Sequence, residues 1–276
     1  MPSGAAEAPG RSRLRDHLVR TRIAGDVETP RQSNVKHYRR LAAGDPYYLL
    51  GLRPERAWSF ADVLALMVER AGVDPDPAYV MGADTIDPDR TIDAVERMAK
   101  PLAAAAARRE RVLLATGHPG GMMPVYTALA EALHDRGCPV LTPADGAPCP
   151  PDDPDDEHAG PADGRIVYVG DVATLADRIG PRHTHAPEPM RVLLGALAAA
   201  GERPPGLVIA DHGFAGAAAD AGIETVAFAD CNDPGLFVGE AEGVVAVAVP
   251  LDDHVTPAHY APLTAYLLEQ AGLRDG

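Results

Sequence analysis

The sequence predicts an α/β protein, a three-layer α/β/α arrangement around a mostly parallel sheet, preceded by a helical N-terminal segment. Three observations lead there. From residue 111 onward, short apolar runs alternate with stretches of helical periodicity, the pattern of parallel strands joined by crossover helices. Residues 13–109 carry i, i+3, i+4 apolar spacing instead, without a comparable series of strands. Several of the later apolar runs also stop abruptly at Asp, His or Gly, and in an open parallel sheet the carboxyl ends of the strands face one ligand-binding crevice.

Taken in order, residues 1–12 have the composition of a disordered tail. "RLRDHLVRTRI", "NVKHYRRLAAG", "SFADVLALMVERAG" and "DPDRTIDAVERMAKPLAAAAARRER" follow as helices. Asp87-Pro88 is a start signal for the last of these, and Pro101 is expected to break or kink it. Residues 13–109 are expected to pack on the sheet as a partial cap, with a separately folding helical domain as the alternative. The α/β domain then spans 110–276. Its expected strands are "RVLLATGH", "CPVLTPA", "RIVYVGD", "GLVIADHG", "IETVAFADC" and "GVVAVAVPLDD", with helices over 122–136, 187–200, 214–221 and 256–271. Within it, residues 145–164 carry seven carboxylates and no Lys or Arg. Proline, glycine and like charge oppose packing there, so this stretch reads as a mobile surface insertion.

Composition removes several functional classes. No apolar run is long enough to span a membrane, and the N-terminus lacks the apolar centre of a signal peptide, so a cytoplasmic protein is expected. Cys138, Cys149 and Cys231 have no CxxC spacing and read as reduced thiols. A formal net charge of -15 without a basic stripe argues against nucleic acid as a partner.

The groups capable of chemistry gather at strand ends. "TGHPGG", Thr116 to Gly121, joins a strand to a helix. The backbone of Gly117, Gly120 and Gly121, with the side chains of Thr116 and His118, suits an anion at a helix N-terminus; a tight turn that merely needs glycine is the alternative. The turn has neither the spacing of a dinucleotide fold nor the ending of a P-loop. Asp211 and His212, then Asp230 and Asp233, then Asp252, Asp253 and His254 end the three later strands on the same edge. Asp252 and Asp253 read as surface helix caps. Asp211 and Asp230 each follow a fully apolar strand, where an unpaired charge is costly, so a cation, a partner His or a proton must compensate them. Carboxylates favour magnesium or manganese, and added imidazoles extend the choice toward zinc or iron. His183 and His185 are two apart, so in an extended segment both project to one side and could reach one metal or one phosphate; a pair of exposed polar histidines on a loop is the alternative. Neighbouring Arg182 and Arg191 would suit an anionic substrate. Cys231 reads as a small core residue. Arg22, Arg31, Asn34, Lys36 and Tyr38 surround a polar turn. Folded over the sheet edge, it would supply the crevice with cations; otherwise it is a plain helix connection.

"TRIAGDVETPRQSNVKHYRRLAAGDP", "TIDPDRTIDA", "LLATGHPGG", "HTHAPEPM", "ADHGFAGAAADAGIETVAFADCNDP" and "VPLDDHVTPAHYAPLTAYLL" together resemble an actinobacterial family of proteins catalogued as phosphatases. The resemblance covers nearly the whole chain and implies phosphomonoester chemistry. The loop "TGHPGG" alone also resembles a turn of sugar-phosphate isomerase and D-glutamate cyclase-like domains. The combined reading is a phosphatase of a small phosphorylated metabolite, with a divalent metal (magnesium, manganese or zinc) as an aid it allows but does not require. Thr116, Gly117, Gly120, Gly121, Arg182, His183 and His185 would hold the substrate. Asp211, Asp230 and Asp233 would hold metal or activate water, and His118 or His212 would move the proton. A sugar-phosphate isomerase-like enzyme and a non-catalytic binder of an anionic metabolite are the alternatives.

Overall fold

The computed structural model describes residues 8–151 and 160–274. The first part of the chain is α1 (Arg11–Arg20), β1 (Gly25–Pro30), α2 (Arg31–Ala42), α3 (Phe60–Arg70), β2 (Ala83–Ile86) and α4 (Pro88–Arg108). α1 begins inside the stretch expected to be a disordered tail, because Arg11 pairs with Asp93 at 2.7 Å and with Glu96 at 2.9 Å on α4. Residues 1–7 of that tail lie outside the described residues. Local chemistry fixes the helix ends. Ser59 and Asp62 form a reciprocal capping box on α3, and Asp87 caps α4 with Pro88 in its first turn.

α4 runs unbroken through Pro101, contrary to the expected break. Its buried stripe, including Ile92, Val95, Met98, Leu102 and Ala105, continues on both sides of the proline, so packing along the helix offsets the one backbone bond that proline removes. β1 and β2, absent from the sequence reading, form a small antiparallel pair beside the helices.

The second part is β3 (Val112–Ala115), α5 (Pro119–Asp135), β4 (Arg165–Val169), β5 (Val172–Ala176), α6 (Glu188–Ala199), β6 (Leu207–Asp211), α7 (His212–Asp220), β7 (Thr225–Ala229), α8 (Pro234–Ala241), β8 (Val247–Pro250), a 3-10 turn (Pro257–Tyr260) and α9 (Ala261–Gln270). The sheet order is β4-β5-β3-β6-β7-β8, parallel throughout except for the β4-β5 hairpin. With helices on both faces this is the expected α/β/α architecture with a mostly parallel sheet. The strand expected at 138–144 is instead a single bridge from Val140 to Val112. Pro139 and Pro143 remove the donors a longer ladder would need. The expected strand at 165–171 turns at Gly170, where φ is 59°, and returns as β5.

α4 lies along β8 and anchors to it through Thr91, whose hydroxyl donates to the Pro250 carbonyl at 2.8 Å. Leu14, Leu18, Met98, Val208, Phe228 and Val249 belong to one continuous hydrophobic core shared by both parts of the chain. Of the acidic insertion, residues 152–159 lie outside the described residues. Its flanks are packed: Cys149 is buried, and its N–H donates to the Gly164 carbonyl at 2.7 Å. No helix among the described residues is long and apolar enough to cross a membrane.

Candidate functional site

β3, β6, β7 and β8 are buried along their lengths and deliver their polar ends to one place. β6 ends in Asp211, whose carboxylate accepts from Thr116 Oγ1 at 2.6 Å, from the Gly117 N–H at 2.5 Å and from His212 Nδ1 at 3.1 Å. Asp211 therefore clamps the end of β3 to the end of β6 and orients the next side chain. His212 has φ 44°, an uncommon left-handed conformation for a non-glycine residue, and its ring enters the crevice. Its Nε2 lies 3.2 Å from Asp233 Oδ2 and 3.5 Å from Asp253 Oδ2. Burial opposes charge on His212, but Asp233 and Asp211 outweigh it and raise the imidazole well above its ordinary value.

The His183–His185 segment supplies more imidazole, as the two-residue spacing implied. The two rings stack at 5.0 Å, and His185 lies 4.3 Å from the His212 ring. Thr184 faces the other way and is buried, its N–H donating to the Gly117 carbonyl at 2.9 Å. This approach demands glycine, because a Cβ at 117 would sit 2.2 Å from the Thr184 carbonyl oxygen. Burial, reinforced by His212, pushes His185 down to about 3 and His183 down to about 4, so both are neutral nitrogen donors at neutral pH.

Asp230 is fully enclosed. Thr29 Oγ1 donates to it at 2.5 Å and the Cys231 N–H at 2.5 Å. Burial, then Asp253 and Asp252, raise its carboxyl well above the usual range. Burial also opposes ionisation of Asp233, but His212 and His185 hold that carboxyl below the usual range. Asp252 and Asp253 are not the surface caps expected from the sequence. They are 0% and 7% exposed, and Asp252 accepts from the backbone of Glu28 and His254. The stop after β8 points inward because β1 crosses that edge. The acid–acid–His ending of β8, like the Asp-His ending of β6, is the signal that could have found them.

The glycine turn divides its work. The Gly117 N–H is taken by Asp211, and the His118 N–H donates to Thr116 Oγ1 at 2.9 Å. Gly121 backs onto Asp253, with a Cβ there 2.2 Å from its carbonyl oxygen, whereas Gly120 has open space. His118 Nδ1 lies 3.0 Å from Asp253 Oδ1, and its Nε2 lies 3.3 Å from His254 Nδ1. Burial lowers the His118 imidazole and Asp253 raises it, with a net rise.

The polar N-terminal turn does not bring cations to the crevice. Arg31 is buried against Asp84 at 3.0 Å, Asn34 bonds Asp84 and the Cys231 sulfur, and Tyr38 donates to the Cys231 carbonyl. Arg22 pairs with Glu28. What reaches the edge from this part of the chain is Thr29, the Glu28 N–H and His37, whose ring lies against the Asn232 carbonyl and helps hold the Asp233 carboxyl down. Arg182 pairs with Asp177 at 3.1 Å and lines a cleft of about 290 Å³ with Tyr47, Gly160, His183 and His185. Cys231 is fully buried, and burial, then Asp230, raise its thiol, in keeping with a core residue.

Among the described residues donor atoms fall into three groups, each within 4.8 Å internally: His183, His185 and His212; His212, Asp233 and Asp253; Asp230, Asp252 and Asp253. Asp211 belongs to none of them and shares no group with Asp230, since its oxygens serve Thr116, Gly117 and His212. Asp230 and Asp233, the other two expected metal ligands, stand in different groups.

A family model described as Phosphatase matches residues 9–275. The chain belongs to this phosphatase family. It is 50% identical over 268 residues to the Streptomyces coelicolor protein named Phosphatase SCO2771, covering 96% of this chain and 98% of that protein. No solved structure matches. Family membership supports phosphatase activity and agrees with the resemblance carried by the strand-end motifs.

Proposed function

We propose that this phosphatase hydrolyses a phosphomonoester of a small metabolite with the help of a divalent cation. One observation carries the reading: five aspartates, 211, 230, 233, 252 and 253, converge on one sheet edge with five histidines, 118, 183, 185, 212 and 254, and among the described residues none of the five aspartates pairs with Lys or Arg. Buried carboxylates beside neutral imidazoles are a donor set for a cation. Asp233, Asp253 and His212 would hold it, with His183 and His185 adjoining. Such a cation polarises a phosphoryl oxygen and acidifies water.

The chain's own residues account for the rest. Asp211 fixes the His212 ring by accepting from Nδ1 and so leaves Nε2 facing the crevice, the arrangement in which a carboxylate tunes a ligating histidine. His118, held against Asp253 and raised above its ordinary value, is the general acid that protonates the departing alkoxide. Gly120, at the start of α5 with open space around it, lets a phosphoryl oxygen approach the helix N-terminus. The cleft beside Tyr47 and Arg182 receives the leaving group.

The test is release of inorganic phosphate from a panel of phosphorylated metabolites, before and after EDTA treatment. Release should stop with EDTA and return with magnesium, manganese or zinc. Conversion of a sugar phosphate without phosphate release would favour the isomerase, and ligand-induced stabilisation without turnover would favour the binding protein.

A further inference from the structure

The donor atoms of this crevice differ in chemistry from one end to the other. Three ring nitrogens, from His183, His185 and His212, form one group, and three carboxylates, Asp230, Asp252 and Asp253, form another that shares no residue with it. The third group, His212, Asp233 and Asp253, takes one member from each and places Asp233 between them. We propose that the crevice binds two divalent cations of unlike preference, a zinc-type ion on the imidazole group and a magnesium- or manganese-type ion on the carboxylate group, with Asp233 and Asp253 at the seam. The inference rests on the phosphatase reading, which supplies the phosphate dianion that the two ions would hold between them.

Ligand spacing, charge and the surroundings of His118 all call for two ions. Metal–ligand distances of about 2.0–2.2 Å keep the ligands of one ion within roughly 4.4 Å of each other. The nitrogen and carboxylate groups remain separate sets at 4.8 Å, so one ion cannot collect both as they stand. Charge points the same way. Once metal displaces the protons of Asp230 and His212, five carboxylates that among the described residues pair with no Lys or Arg, joined by a phosphate dianion, exceed the charge of a single divalent ion in a site sheltered from water.

The carboxylate group also shows an incomplete contact. His118, with its side chain only 7% exposed, directs Nδ1 to within 3.0 Å of Asp253 Oδ1, an ion-pair contact that completes no well-formed hydrogen bond among the described residues. A hard cation that dehydrates reluctantly keeps water around it, and such water would supply the well-formed hydrogen bond that this ion-pair contact leaves incomplete. Ligand type then separates the ions, since imidazole suits zinc and carboxylate suits magnesium or manganese.

The experiment is metal counting on the full-length protein. The chain is stripped with chelator, dialysed against equal low concentrations of zinc and manganese, desalted and measured by inductively coupled plasma mass spectrometry. Two ions per chain are expected, one zinc and one manganese. His183→Asn, at the exposed mouth of the crevice, should lose the zinc and keep the manganese. Asp252→Asn should do the opposite, and if it fails to fold, the parent count and His183→Asn decide. One ion or none in the parent, two ions of the same metal, or loss of the same ion in both variants would overturn the proposal. Two ions without phosphate release from any substrate would sink the phosphatase reading and leave the two sites standing. Chelator-sensitive phosphate release with one ion per chain would do the reverse.

Discussion

Asp84 and Asp230 are both buried carboxylates, linked through Asn34 and Cys231, and they are compensated in opposite ways. Asp84 meets the Arg31 guanidinium at 3.0 Å, the Asn34 amide at 2.8 Å and the Asp74 N–H at 3.0 Å. Arg31 is itself satisfied by the Tyr79 and Asp76 carbonyls. The charge is neutralised within the chain. Among the described residues Asp230 receives only neutral donors, Thr29 and the Cys231 N–H, and lies with Asp252 and Asp253. A buried arginine stands against the first carboxylate and, among the described residues, none against the second cluster, so the first is compensated structurally while the second has the donor set that the proposed cation would complete.

The comparison breaks most visibly at Arg31. Arg31→Met removes the internal partner and should cost about 3–5 kcal/mol of stability, measured by urea denaturation, while the fraction that remains folded keeps its metal content. Loss of metal at unchanged stability would mean that the two clusters are not separate. The next effect in size is at His118. His118→Gln should slow hydrolysis of an alkyl phosphate by about 100-fold or more, and of an aryl phosphate with an acidic leaving group far less, because the latter departs without a proton. Equal losses on both substrates would remove His118 from the role of general acid.

The smallest effect is the most diagnostic for Asp230. In chelated protein its carboxyl is raised well above the usual range by burial and then by Asp253 and Asp252. A raised carboxyl contributes stability that is complete below its unfolded value, near pH 4, and is lost as pH climbs through the folded value. Asp230→Asn should therefore stabilise the chelated protein at pH 8 by on the order of 1 kcal/mol, with the advantage vanishing toward pH 4, followed by thermal melting across that range. A variant less stable than the parent at pH 8 would show that Asp230 is compensated after all.

The sheet and the edge that carries the site were legible because both follow from short-range pattern. Apolar strands stopping at Asp211 and Asp230 announced buried polar ends, and the spacing of His183 and His185 fixed their common side. What escaped depends on long-range placement. Asp252 and Asp253 looked superficial because nothing local shows that β1 crosses them, and the separation of Asp211 from the cation groups depends on Thr116 and Gly117, about 95 residues earlier. Arg31 looked available for the crevice since its partner Asp84 lies 53 positions away. The continuity of α4 through Pro101 likewise reflects its packing against the rest of the molecule rather than its own residues.

Thermal melting of the chelated protein during titration with manganese or zinc tests most directly whether the Asp–His edge is completed from outside. A ligand that binds only the folded chain stabilises it by about 2.7 kcal/mol at a concentration 100 times its Kd. The parent melting temperature should rise with each addition, and Asp253→Asn, which removes the carboxylate shared by two of the three donor groups, should respond far less. A parent whose melting temperature ignores both metals would contradict the account.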